Sequence, residues 1–192
     1  MTSFLDLAPF VPREDALLEH GLLDLASELN REAAKLTGKL ASETAETIRK
    51  HMAVINSYYS NLIEGNRTLP HEIREAQRGD FSHDPVARDH QLESVAHISA
   101  QNWIQEQNPE LARVCSPEFL LALHERFYRD LPDSLRRMKT ETGEEFLVEP
   151  GEFRKQPVAV GRHIPPAAEH IEQLVSQALE HYSSRLYAGD KR

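Results

Sequence analysis

The sequence predicts an all-α fold interrupted by a single β-hairpin. Three observations carry that expectation. Apolar residues recur at steps of three and four through most of the 192 residues. Twice, an Asp or Ser is followed directly by Pro at the head of such a pattern, a helix-start signal. β-forming residues gather in one stretch only, near 140–163, around a Pro150-Gly151 turn signal.

Residues 1–11 read as an irregular arm. "PREDALLEHGLLDLASELNREAAKLTGKL" opens with Pro12 and an acidic first turn. Leu18, Leu22, Leu25, Leu29, Leu36 and Leu40 make a helical stripe, and Gly38 suggests a break near its end. In "SETAETIRKHMAVINSYYSNLIEG", Ser42 offers a cap. Ile48, Met52, Ile55, Tyr59 and Leu62 step 4, 3, 4, 3 and predict the buried face, and Gly65 suits the left-handed position that ends a helix. "PHEIREAQRG" is a short helix stopped by Gly79. "DPVARDHQLESVAHISAQNWIQEQNP" and "SPEFLLALHERFYRDLP" begin with Asp84-Pro85 and Ser116-Pro117, and the second has Leu120, Leu123, Phe127 and Leu131 as its expected inner face. "TETGEEFLVEPGEFRKQPVAVGRH" reads as a hairpin or extended flap. "PPAAEHIEQLVSQALEHYSSRLY" returns to helix with Ile171, Leu174, Ala178 and Tyr182 inside. No internal repeat or clear linker breaks the chain. It is expected to form one compact unit, with residues 1–80 as an N-terminal helical region and 81–192 as the rest.

Composition bounds the function. The chain is 40% hydrophobic and 28% charged, enough for a packed core. Its net charge of −9 repels phosphate backbones, so general nucleic-acid binding is not expected. The lone Cys115 allows no internal disulfide and suits a reducing cytoplasm. "MTSFLDLAPF" lacks the basic and apolar regions of a secretory signal. No run approaches the ~18 apolar residues of a membrane span.

One carboxylate is in an unfavourable place. Glu64 sits at the end of the predicted helix 42–64, where the helix dipole disfavours an anion by roughly 0.3–1 kcal/mol. At about 100° per residue, Ser60 and Glu64 lie some 120–160° from the Ile48–Leu62 stripe. They share one face at i,i+4 spacing, so the Ser60 hydroxyl is expected to donate to the Glu64 carboxylate. An anion so held is ready for an arginine. Read locally, it is as well explained as a solvated Glu beside a capping Gly.

"SNLIEG", residues 60–65, resembles the inhibitory motif Ser/Thr-x-x-x-Glu-Gly/Asn of Fic-family adenylyltransferases. Further features follow in the family's order. "LHERFYRDLP" resembles the helix before the flap. "EPGEFRKQPVAVGRHIPP" closely resembles the flap, with its pattern Pro-Gly-x-Phe/Tyr-Arg-x-x-x-Val-x-Val-Gly and trailing Pro-Pro. "IEQLVSQALEHY" resembles the helix after it. Together they span about residues 42–187.

The resemblance implies an incomplete Fic-like helical bundle with a flap at about 144–163. It implies transfer of AMP from ATP, with Mg²⁺, to a hydroxyl of a target protein. Glu64 would be the inhibitory glutamate, Ser60 its supporting hydroxyl and Gly65 the helix stop. The glutamate pairs with an arginine and takes the place of the γ-phosphate, since carboxylate and phosphate compete for one guanidinium fork. The flap holds the target strand by β-augmentation, with Val158, Ala159, Val160 and Gly161 as the docking edge. A homo-oligomer is compatible with the family.

The family's catalytic signature, His-x-Phe-x-Asp/Glu-Gly-Asn-Gly-Arg-x-x-Arg, does not occur in these 192 residues. The single Gly-Asn pair is Gly65-Asn66. The chain is therefore expected to be the regulatory and target-docking portion of such an enzyme. It is expected to hold no catalytic residues, to bind no ATP or Mg²⁺ by itself, and to transfer no AMP alone. The alternative is a non-catalytic, antitoxin-like module that offers Glu64 to another Fic enzyme in trans.

Other constellations are weaker. His83, His90 and His97 recur every seven residues, which sets their origins about 10 Å apart along a helix, too far for one ion. His90, Glu93 and His97 are the nearest approach to a metal set, and no metal site is expected. Trp103 reads as a core anchor. Cys115 has no adjacent base and reads as a small residue near a helix start.

Overall fold

The computed structural model of the protein describes residues 20–140, 142–159, 161 and 164–183. These fall in two compact units, residues 20–52 and the residues from Ala53 onward. The division lies inside a helix.

In the first unit, α1 spans Leu22–Lys39 after Gly21, whose φ of 61° sets the chain's entry. It runs through Gly38 and stops one residue later, with the Leu40 N–H bonding the Thr37 carbonyl. No residue of α1 is buried. Of the expected leucine stripe, Leu22, Leu25, Leu29 and Leu36 lie on α1 and are exposed, Leu40 follows the end of the helix, and Pro12 and Leu18 lie outside the described residues. The helix α2, Ser42–Ile63, begins here. Ser42 is its first helical residue rather than its cap, and the Ala41 carbonyl takes the Ala45 N–H.

The second unit holds the rest of α2. It continues with α3 (Pro70–Gln77), α4 (Pro85–Gln107), α5 (Leu111–Val114), α6 (Pro117–Tyr128) and α7 (Asp133–Arg136). A short hairpin of β1 (Arg137–Lys139) and β2 (Glu145–Leu147) follows, and a 3-10 turn at Ala168–His170 leads into α8 (Ile171–Ser183). The fold is mostly helical with one two-stranded antiparallel sheet. The helices headed by Asp84-Pro85 and Ser116-Pro117 start where expected. The Asp84 carboxylate accepts from the Ala87 N–H at 2.8 Å, and the Ser116 hydroxyl from the Phe119 N–H at 3.2 Å, each satisfying an orphan donor of the first turn.

The core is Ala53, Val54, Ile73 and Ile98, with Tyr58 packed on it. This corrects the expected burial of α2. Of its apolar stripe, Ile48, Met52 and Leu62 are exposed, Tyr59 is 61% exposed, and Ile55 is half-buried. The buried face is made of small residues, Ala53, Val54 and Ser57. Ser57 and Ser94 are fully buried, and the Ser57 hydroxyl donates to the Ser94 carbonyl at 3.3 Å. Small residues let two helices approach closely, and the hydrogen bond offsets their desolvation. Periodicity finds a face that avoids water; it does not say which neighbour meets it.

Two further expectations are corrected. On α6 the buried residue is Phe119, whose ring stacks on Trp103 at 5.3 Å, whereas Leu120 is exposed and Leu123 and Phe127 are half-buried. Leu131 is buried as expected. On α8, Ile171, Leu174 and Ala178 are half-buried and Tyr182 is exposed. The hairpin turn is also displaced. Arg137 pairs with Leu147 and Lys139 with Glu145, so the chain reverses over Thr140–Glu144, with Gly143 at φ 85°. Pro150-Gly151 makes a separate turn, and residues 153–159 form no strand.

Candidate functional site

The helix α2 ends in a Schellman motif. The Gly65 N–H bonds the Leu62 carbonyl at 3.1 Å, and the Asn66 N–H reaches back to the Asn61 carbonyl at 2.9 Å. Gly65 takes φ 90°, a conformation strained for a residue with a Cβ. Glu64 is thereby fixed as the residue on which helical geometry stops. Its side chain is exposed.

Asn66 clamps this end to α4. It is 3% exposed. Its amide donates to the His90 carbonyl at 3.0 Å and to a Glu93 carboxylate oxygen at 2.9 Å. Its oxygen accepts from both the N–H and the hydroxyl of Thr68, at 3.0 and 2.7 Å. One turn earlier, the Asn61 amide donates to the Ser94 hydroxyl at 3.0 Å. Every polar atom of the Asn66 side chain has a partner, so the clamp is stiff.

Ser60 and Glu64 do not bond to one another among the described residues. Ser60 is still helical, whereas the backbone at Glu64 has tightened: its N–H bonds the Asn61 carbonyl, three residues back. That ends the i,i+4 alignment the expected bond needs. Instead Ser60 borders an open, largely apolar groove of about 710 Å³. Tyr59 and Ser60 of α2, His97 and Ile104 of α4, and Leu123 and Phe127 of α6 represent its three walls.

Burial in the groove favours the uncharged form of its titratable rings. Burial lowers the pKa of His97, against an opposing pull from the Glu93 carboxylate. Burial also lowers that of His124. Burial, reinforced by Glu93, raises that of Tyr128. His97 Nδ1 is buried without a hydrogen-bond partner among the described residues. His124 Nδ1 accepts the Gly151 N–H at 3.0 Å and so pins the Pro150-Gly151 turn to α6. A Cβ at Gly151 would lie 3.2 Å from the Glu125 Cβ, so the turn seats closely.

Beyond that turn, the Arg154 guanidinium donates to the Gln156 carbonyl at 2.7 Å and to the Pro166 carbonyl. It closes the expected flap across its base. Val158 is half-buried, Ala159 is exposed and Gly161 has φ 61°, while Val160 lies outside the described residues. The structure thus brings Ser60 and Glu64 to the end of one helix and leaves the flap residues on a separate segment.

His90, Glu93 and His97 make no metal set. Glu93 is committed to Asn66, and no group of His, Cys, Asp or Glu among the described residues is arranged to hold an ion. The residues that position the site, Asn61, Asn66, Ser94, His124 and Arg154, were missed by sequence reasoning. One signal was present: "NRT" after a helix-stopping Gly is an Asx-turn pattern, in which Asn bonds the backbone two residues on. Comparison of the chain with family models, with curated proteins and with solved structures finds no match to any of them.

Proposed function

We propose that this chain is the regulatory and target-docking portion of an autoinhibited Fic-type protein adenylyltransferase. The observation that carries the reading is the state of Glu64. Its carboxylate is exposed, it has no ion-pair partner among the described residues, and its backbone is fixed by Gly65 and the Asn66 clamp. A carboxylate costs something against the helix dipole, and a guanidinium placed against it removes that cost. In the complete enzyme that guanidinium would otherwise take a phosphate of ATP. Glu64 then competes with the nucleotide for a single bidentate site.

Each element has a part. Gly65 ends the helix so that Glu64 points outward. Ser60 stands one turn before it at the rim of the groove. Val158 to Gly161, with Val160, offer a backbone edge for a target strand, supported by the lack of strand pairing over the described residues 153–159. ATP and Mg²⁺ belong to the catalytic loop, whose signature is not in this chain.

The test is Glu64→Gly in the complete protein, read as labelled AMP incorporated into itself and its targets. Charge-assisted hydrogen bonds contribute about 1.5–3 kcal/mol each, so incorporation should rise at least about tenfold. No rise removes the brake. The purified chain of 192 residues, given ATP and Mg²⁺, should label nothing. If adding the chain to the Glu64→Gly enzyme restores inhibition, the antitoxin-like role in trans is the correct version.

A further inference from the structure

The helix α1 shows leucines to water and carries a charge order that matches itself reversed. Leu25 is 59% exposed, Leu29 71% and Leu36 62%. The helix begins acidic, with Asp24 and Glu28, and ends basic, with Lys35 and Lys39. The midpoint of this charge pattern lies between Arg31 and Glu32. Asp24 and Lys39 are equally far from that midpoint, as are Glu28 and Lys35. We propose that α1 pairs antiparallel with α1 of a second copy of this chain, about a two-fold axis at that midpoint.

Two independent features of the sequence on this helix fit the same register. The first is charge. Turning the helix end over end brings Glu28 level with Lys35 of the second copy, and Asp24 level with its Lys39. Glu28 and Lys35 differ by only about 20° around the helix, so they share one flank of the stripe. In an antiparallel pair about a two-fold axis, that flank meets its own copy. The symmetry forms each of these ion pairs twice, and they outnumber the one like-charge meeting in the register, that of Glu32 with its own copy near the axis. A parallel pairing would instead set each charge level with its like.

The second feature is spacing. In this register Leu29 lies between the levels of Leu36 and Leu29 of the second copy, and Leu36 between those of its Leu29 and Leu25. Leucines from the two helices therefore alternate along the seam instead of meeting head on, which is the requirement for interdigitated packing. The flank away from the charges carries Ala26 and Ala33, small enough for close approach.

The exchange of partners is cheap. Within one copy, Arg31 pairs with Glu28 at 3.4 Å and Lys35 with Glu32 at 2.7 Å, but these side chains are more than half exposed and such pairs hold little. The 18 residues of α1 span about 27 Å. The interface is at the small end of specific ones, so a dissociation constant of about 1–100 µM is expected.

Sedimentation equilibrium of the full chain should show a monomer–dimer equilibrium in that range. Glu28→Lys alone and Lys35→Glu alone each oppose like charges and should weaken it about tenfold. The double variant reverses the pattern and should restore it. In a Cys115→Ser background, Glu32→Cys, near the axis, should oxidise to a disulfide dimer, while Lys39→Cys, far from its own copy, should not. A chain that stays monomeric at millimolar concentration would overturn the pairing, whatever else covers the stripe. So would a dimer indifferent to both single variants, or one in which Lys39→Cys cross-links readily. All the substituted helix positions are exposed, and an unchanged helical circular-dichroism spectrum keeps a folding defect from imitating the result.

Discussion

Asn66 does more for the site than the glutamate two residues before it does for itself. Glu64 supplies the charge, but Asn66 fixes where that charge stands. Its amide and carbonyl together make four hydrogen bonds, two of them to α4. Asn66→Ala would leave the His90 carbonyl and a Glu93 oxygen without this donor, and two Thr68 donors without their acceptor. Unmet buried polar groups cost about 1–3 kcal/mol each. Relaxation and water entry reduce the sum, so a loss of roughly 2–4 kcal/mol is expected, measured by urea denaturation. Asn66→Asp keeps the acceptor for Thr68 but sets a second carboxylate against Glu93. It should also destabilise, most at neutral pH. Neither variant removes Glu64. If Glu64 is the proposed brake, its weakening in the complete protein with Glu64 intact would mark Asn66 as a positioning residue.

Helices were readable from the sequence far better than their faces. Asp84, Ser116 and Gly65 cap where they were expected to, because a cap is a contact among residues a few positions apart. The faces of α2 and α6 were misjudged, because which side meets a neighbour depends on residues far away in sequence. Ser57 and Ser94 look like surface residues until their pairing makes them core. The hairpin was displaced for a related reason. Pro150-Gly151 is a strong turn signal, but His124 uses that turn as an anchor to α6, and the reversal falls at Gly143. The anchor predicts a pH dependence. The Nδ1 atom of His124 can accept the Gly151 N–H only while it is unprotonated. Burial holds its folded pKa below the ordinary 6.5, as it does that of His97. A lowered folded pKa means stability that is complete above pH 6.5 and is lost as pH falls through the folded value. The melting temperature should therefore drop between pH 7 and pH 5. His124→Gln should make that drop shallower. An identical pH slope in the variant would show that the turn is held by other contacts. The flap beyond it has its own test. If the flap docks a target strand as proposed, Val158→Pro with Val160→Pro in the complete protein should lower target modification while sparing self-modification.

Stability is not spread evenly through the molecule, and its distribution follows from burial. The fully buried side chains, Ile73, Ser57 and Ser94, all lie in the unit that starts at Ala53. That unit should open only by global unfolding, because its backbone hydrogen bonds are shielded by packing. The helix α1 has no buried residue. A helix of its length, 18 residues, is marginal in water without a packed face, since nucleation is costly and each added bond gains little. Its amphipathic stripe, its intrahelical ion pairs and its exposure together predict a helix that forms and frays. In amide hydrogen exchange at low micromolar concentration, the amides of Leu22–Lys39 should exchange within seconds to minutes. Those of α4 around Ser94 and Ile98 should persist on the timescale of global unfolding. Raising the concentration should leave α4 unchanged. It should slow α1 alone, because pairing with a second copy gives its leucines something to bury against. Protection of α1 that is high at every concentration would mean that its stripe is covered within a single chain, and the exposed leucines would then need another account.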